Sequence, residues 1–91
     1  MKYKVEQTSR FKKDLNRVIR RGKNRQKLLE VVAMLADDLP LPERCKDHAL
    51  IGDYAGFREC HIENDWLLVY AIDQGALVVS LTRTGSHSDL F

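Results

Sequence analysis

The sequence predicts an α+β fold: an N-terminal strand and a two-helix hairpin, then a meander that completes a mostly antiparallel four-stranded sheet, in the order β-α-α-β-β-β. Three observations carry this. Apolar residues recur at helical spacing from Phe11 to Leu39. Two runs dense in β-formers, NDWLLVYAI and ALVVSLTRT, flank the turn DQG. Between the two halves lies LPLPE, where proline cannot continue a helix.

Taken in order, KYKVEQT alternates Tyr3, Val5 and Gln7 against Lys2, Lys4 and Glu6, as a half-buried strand does. Thr8 or Ser9 is placed to cap the first helix. In that helix Phe11, Leu15, Val18 and Ile19 share one face, basic residues take the other, and Gly22 suits the stop. Leu28, Val31, Val32, Leu35 and Leu39 form the stripe of the second helix. GFRECHIE is the first meander strand, with Phe57, Glu59, His61 and Glu63 on one side and Arg58, Cys60 and Ile62 on the other. NDWLLVYAI follows, with Leu68 and Tyr70 as sheet core or wall, and ALVVSLTRT is last. Helices then cover one face of the sheet and leave the other partly open, where polar groups can collect.

Residues 1–91 make a single domain. The composition, 44% hydrophobic and 31% charged, is that of a soluble protein. No apolar run approaches the roughly 18 residues that span a bilayer, so no membrane role is expected. The N-terminus lacks the apolar segment of an export signal. Cys45 and Cys60 are therefore expected as reduced thiols in a cytoplasm. The net charge of +2 hides an asymmetry. Residues 1–46 carry 13 Lys and Arg against 6 acids, a net +7, and residues 47–91 carry 2 against 7, a net −5. Nine of the basic residues, with one acid, fall between positions 10 and 27, which points to a surface for a polyanion.

Three histidines, His48, His61 and His87, lie in the second half at strand ends or in loops. Asp65 precedes Trp66, Arg83 closes the last strand on the side opposite Ser80 and Thr82, and the tail RTGSHSDLF ends on Phe91. Imidazole, with a reference pKa of about 6.5, gives or takes a proton near neutrality. Such a set suits RNA cleavage by its own 2′-hydroxyl. A base removes the 2′ proton, an acid protonates the leaving 5′ oxygen, a cation stabilises charge on phosphorus, and an aromatic ring stacks a base. Neither metal nor cofactor is needed. Zinc ligation lacks a close-spaced ligand pair. A hydrolase built on Ser86 or Ser88 lacks the nucleophile-elbow glycines.

The runs FRECHIENDWLLVYAID and LTRTGSHSDLF, with LPLPERCKDHALIGDYAGFREC before them, resemble the YafQ branch of the RelE/ParE toxin superfamily. These are mRNA interferases of bacterial type II toxin–antitoxin systems. The resemblance spans the chain and is most specific from Leu39 to Phe91. It implies a microbial-ribonuclease-like sheet and cleavage of mRNA in the ribosomal A site. The family's histidines would fall on His48, His61 and His87, its acid on Asp65, its tryptophan on Trp66, its arginine on Arg83 and its terminal aromatic on Phe91. Ala49 and Asn64 stand where the family often has proline. On this basis His87 is the general acid, Arg83 the charge stabiliser, and Asp65 with His61 or His48 the base or its orienter. Phe91 would stack on the substrate, and Trp66 would contact RNA or support the site by packing. Lys12, Lys13, Arg17, Arg20 and Arg21, turned largely to solvent, would dock on ribosomal RNA. A cognate antitoxin is implied, in a heterotetrameric complex, competing with the ribosome. A ParE-like topoisomerase poison fits the histidines poorly. A non-catalytic nucleic-acid-binding regulator lacks a helix-turn-helix pattern.

Overall fold

A computed structural model describes residues 1–91. Strand β1 (Lys4–Gln7) runs directly into helix α1 (Ser9–Arg20) through Thr8, whose extended backbone and side chain make the N-cap. Its Oγ1 accepts from the Phe11 amide at 3.0 Å and donates to the Thr82 carbonyl at 2.9 Å, which fixes the helix start to the sheet. Gly22, at φ 93°, takes the left-handed position that ends α1. Asn24 caps α2 (Arg25–Ala36) through a 2.9 Å bond from the Gln26 amide. This helix stops earlier than its apolar stripe suggests. Asp38 adopts φ 57° and the Leu39 amide reaches back to the Met34 carbonyl, so the turn closes before the prolines. Leu39 lies outside the helix and is exposed.

The second half forms β2 (His48–Ala49), β3 (Arg58–Glu63), β4 (Trp66–Asp73), β5 (Val78–Gly85) and a final one-turn helix α3 (His87–Leu90). The sheet has five strands in the order β1-β5-β4-β3-β2, with β1 parallel to β5 and the other pairs antiparallel. The expected sheet had four. The fifth strand is a two-residue edge, His48 opposite Glu59 and Ala49 opposite Arg58, too short to show a period of two. The turn after β4 is longer than DQG. The Asp73 carboxylate accepts from the Ala76 amide at 2.9 Å and Leu77 takes φ 57°, so β5 begins at Val78.

Both helices pack on one sheet face. Phe11, Val18, Leu28, Val31 and Leu35 meet Cys60, Trp66, Leu68, Tyr70, Val79 and Leu81 in the main core. The other face carries a small second core of Leu67, Val69 and Leu90 with Leu50, Tyr54 and Phe57.

Two irregularities in register redirect side chains from where strict alternation puts them. Leu81 pairs with Tyr70 but Arg83 pairs with Val69, so Thr82 is an extra residue. Beyond it Thr84 faces the main core and Arg83 shares the open face with Val69, opposite to the side expected from Ser80 and Thr82. Likewise His61 pairs with Leu67 but Glu63 with Trp66, leaving Ile62 extra. Glu63 thus joins the helical side, binding Lys23 at 2.8 Å and Lys27 at 2.7 Å, rather than lining up with Glu59 and His61.

Candidate active site

Cross-strand pairing sets the site out in rows on the open face. His48, Glu59, Val69 and Arg83 are successive partners across β2, β3, β4 and β5, and His61, Leu67 and Gly85 form the next row. Asp65 occupies the turn between β3 and β4, and His87 opens α3. One Asp65 oxygen receives both the His87 amide, at 2.9 Å, and His87 Nδ1, at 2.8 Å. A carboxylate only accepts, so Nδ1 carries the proton and Nε2 is left for chemistry. The His87 amide first, and its ring second, hold the Asp65 carboxyl below its ordinary range. His61 donates from Nδ1 to the Asn64 carbonyl at 3.3 Å, and its ring centroid lies 5.9 Å from that of His87. His61 Nε2 is 3.9 Å from Oε1 of the buried Glu59. His48 is exposed on the edge strand, where Nδ1 donates to the Lys46 carbonyl at 2.7 Å. The fold therefore gathers His61, Asp65 and His87, and places His48 one strand away beside Glu59.

Arg83 is on the open face, but its guanidinium turns around the outer edge of β5, which β1 leaves unpaired beyond Leu81. There Nε lies 2.6 Å from Asp14 Oδ2 and Nη2 3.2 Å from Oδ1. The Asp14 hydrogen bonds hold the Arg83 charge even more firmly than usual. Asp14 also binds Arg17 at 3.1 Å.

Arg21 grips both oxygens of Asp89, at 2.6 and 3.1 Å. Asp89 in turn closes a capping box with Ser86 at the start of α3. Arg21 first, and then the Ser86 amide, push the Asp89 carboxyl far below its ordinary range. Gly85, at φ 151°, sits so close to Asp89 that a Cβ would fall 2.8 Å from a carboxylate oxygen. Arg21 is exposed, as the helix periodicity suggested, while also pairing with Asp89; Arg17 is half-buried and pairs with Asp14 one turn before it on α1. Lys12, Lys13 and Arg20 are exposed.

Phe91 is 59% exposed and meets Tyr54 edge-on, with ring centroids 5.4 Å apart; Tyr54 meets Phe57 at 6.3 Å. Trp66 is different. It is 1% exposed on the helical side, and its Nε1 donates to Thr84 Oγ1 at 2.9 Å. Of the two expectations for Trp66, RNA contact or support by packing, its burial in the main core fits packing and leaves the indole little surface to offer to RNA. Leu68 and Tyr70 are core.

Four residues that bear on the site escaped the sequence. Asp14 reads as one acid in a basic run, Glu59 and Tyr54 as ordinary sheet and loop residues, and Asp89 as tail. For Asp89 alone a signal was present, the Ser-x-x-Asp spacing of a capping box. Glu59, His61 and His87 also bring one ligand atom each within 4.8 Å of one another, so tertiary structure makes the cluster that sequence spacing did not show. One carboxylate and two imidazoles would suit a borderline divalent cation such as zinc or copper.

Two imidazoles and a carboxylate gathered on the open face of a small α+β sheet, with Arg83 anchored at the edge of that face, form a candidate acid–base site of the ribonuclease kind. A family model described as "Bacterial toxin of type II toxin-antitoxin system, YafQ" matches residues 3–91. The chain belongs to this YafQ family. It is 36% identical over 88 residues to the mRNA interferase toxin YafQ of Escherichia coli K12, covering 96% of this chain and 94% of that protein. The fold matches a metal-bound toxin from Helicobacter pylori at a TM-score of 0.92 and 42% identity, covering 98% of this chain and 99% of that one. It matches the toxin in the E. coli DinJ–YafQ toxin–antitoxin complex at 0.89 and 34% identity, over 100% and 99%.

Proposed function

We propose that this chain is the toxin of a type II toxin–antitoxin pair and an endoribonuclease that cuts mRNA in the ribosomal A site. The observation that carries the reading is the His87–Asp65 pair, doubly bonded and set 5.9 Å from the His61 ring. With Nδ1–H tied to Asp65, His87 directs Nε2 outward and gains a carboxylate partner for its imidazolium form. It acts as general acid on the leaving 5′ oxygen. His61, the imidazole beside it, takes the 2′-hydroxyl proton; His48, a strand away, is the weaker candidate for this step. The attacking 2′ oxygen forms the new bond to phosphorus as the 5′ oxygen leaves, and Arg83 offsets the added charge. Phe91, with one flank against Tyr54, offers its exposed ring to a base. Lys12, Lys13 and Arg20 dock on ribosomal RNA. Glu59, His61 and His87 would be the residues to hold a metal ion, which there would supply Lewis acidity; the proton transfers described use the side chains alone.

A cognate antitoxin holds the toxin off during growth, by analogy with the relative solved in complex with DinJ. We place it across the basic helix, in competition with the ribosome and in a heterotetrameric assembly. The site of action is then the cytoplasm.

Mapping cleavage ends on one mRNA, free and bound to programmed ribosomes, tests this. Cuts confined to the A-site codon are expected, at a rate indifferent to chelator. His87→Ala should lower the single-turnover rate by about 10²–10⁴-fold. Equal cutting of free mRNA would refute ribosome dependence, and a loss below about 5-fold would remove His87 from the chemistry.

A further inference from the structure

Asp14 is the one acid in the run of residues 10–27. Helical spacing puts it with Phe11 and Val18 on the buried side of α1, and only 5% of it is exposed. Four hydrogen bonds converge on its two oxygens, from Arg83 Nε (2.6 Å), Arg83 Nη2 (3.2 Å), Arg17 Nη2 (3.1 Å) and the Thr84 amide (3.2 Å). A guanidinium is planar and rigid. Held side-on through Nε and one Nη, it keeps a single orientation, with its opposite edge directed away from the carboxylate. The Arg83 side chain is 11% exposed, so little else about it is free to vary.

We infer that Asp14 is a positioning residue for RNA cleavage: it locks the Arg83 guanidinium side-on, so that the remaining N–H edge meets the scissile phosphate. This rests on the reading of Arg83 as the charge stabiliser. Asp14 itself touches no substrate and acts through Arg83. The bulge at Thr82 brings Arg83 to the open face, and Asp14 then sets how its donors point once it is there. Stabilisation alone accounts poorly for the cluster, since replacing buried ion pairs by apolar groups often stabilises a fold. This cluster also leaves Arg17 Nε buried with no partner.

The test is a double-mutant cycle on programmed ribosomes, reading single-turnover rate at saturating toxin and, separately, ribosome affinity. Asp14→Asn keeps the volume and one acceptor oxygen but loses the charge that fixes the fork. Its rate is expected to fall about 10–100-fold with affinity unchanged, the scale of a misoriented charge partner. In an Arg83→Ala background the same change should alter the rate by less than about 2-fold, because the residue it positions is gone. Melting curves taken alongside fix an assay temperature at which every variant is folded. Arg83→Lys is a second arm that leaves Asp14 in place with a cation opposite it but no fork. It should fall within about 3-fold of Arg83→Ala, because lysine cannot bind side-on. Additive losses in the double variant, or an Arg83→Lys toxin that cuts near the parental rate, would overturn this inference alone. Parental cutting by Arg83→Ala would overturn the role of Arg83 and this inference with it.

Discussion

Trp66→Phe separates packing from RNA contact at the tryptophan beside Asp65. Phenylalanine removes the N–H that Thr84 Oγ1 accepts at 2.9 Å. Thr84 is fully buried and its hydroxyl proton already goes to the Leu67 carbonyl at 2.7 Å, so an acceptor lone pair is left empty. One such lost bond costs about 1 kcal/mol. The ring is also smaller by roughly 40 Å³, and at about 24 cal/mol per Å³ of unfilled space that adds about 1 kcal/mol. A loss of about 2 kcal/mol in a domain of this length lowers Tm by about 8–16 °C. Urea and thermal unfolding should show that loss with an unchanged m-value. Cleavage and ribosome affinity, measured well below the lowered Tm, should stay within about 3-fold of the parent. A variant of parental stability that had lost 10-fold or more in rate or affinity would show that the indole meets RNA, contrary to its burial.

Replacing Lys12, Lys13 and Arg20 with glutamine should weaken ribosome binding and reduce the log–log salt slope by up to about three, with the rate at saturation unchanged; slow cutting with binding intact would place these cations in the site. The Asp89 carboxyl is depressed, so its bonds stabilise the fold above the ordinary carboxylate pKa and are lost as pH falls through the folded value. Asp89→Asn should therefore flatten the fall in unfolding midpoint on acidification from about pH 5, and equal acid slopes in the two proteins would show that the pair with Arg21 carries no weight.

The order of elements was legible because each has a strong local signature. Thr8 and Gly22 bound the first helix, apolar spacing marks its buried face, and β-branched runs mark β4 and β5. Residue type and position singled out the seven candidate residues from His48 to Phe91, and the family likeness assigned their individual roles. Three kinds of feature were not legible. A two-residue strand such as His48–Ala49 has no periodicity to read. A bulge is invisible in an alternating run, so Ile62 and Thr82 hid the true faces of Glu63 and Arg83. An acid on a basic helix looks solvated until the partner 69 residues away is placed against it; the approach of Asp14 to Arg83 is long-range and belongs to the fold.

Those last two features bear on one question, how a strand that begins in the core can end at the candidate site on the other face. β5 buries Val79 and Leu81 under the helices, yet two residues further on its arginine must face the other way. One inserted residue does this, and Thr84 then refills the core side by bonding to Trp66. Where β1 has ended, the outer edge of β5 has no strand partner, and the Thr84 amide there finds no ladder acceptor. Asp14 satisfies that amide and takes Arg83 with the same carboxylate. Two turns later, at the C-cap of the same helix, Arg21 ties down Asp89 and through it the start of α3, where His87 sits. The basic helix is therefore divided by role. Arg17 pairs with Asp14 and Arg21 with Asp89, while Lys12, Lys13 and Arg20 are the exposed cations proposed to meet a polyanion. Because both sets ride on one rigid helix anchored by Phe11 and Val18, the surface proposed to grip ribosomal RNA and the groups that aim Arg83 and His87 are fixed in a single frame.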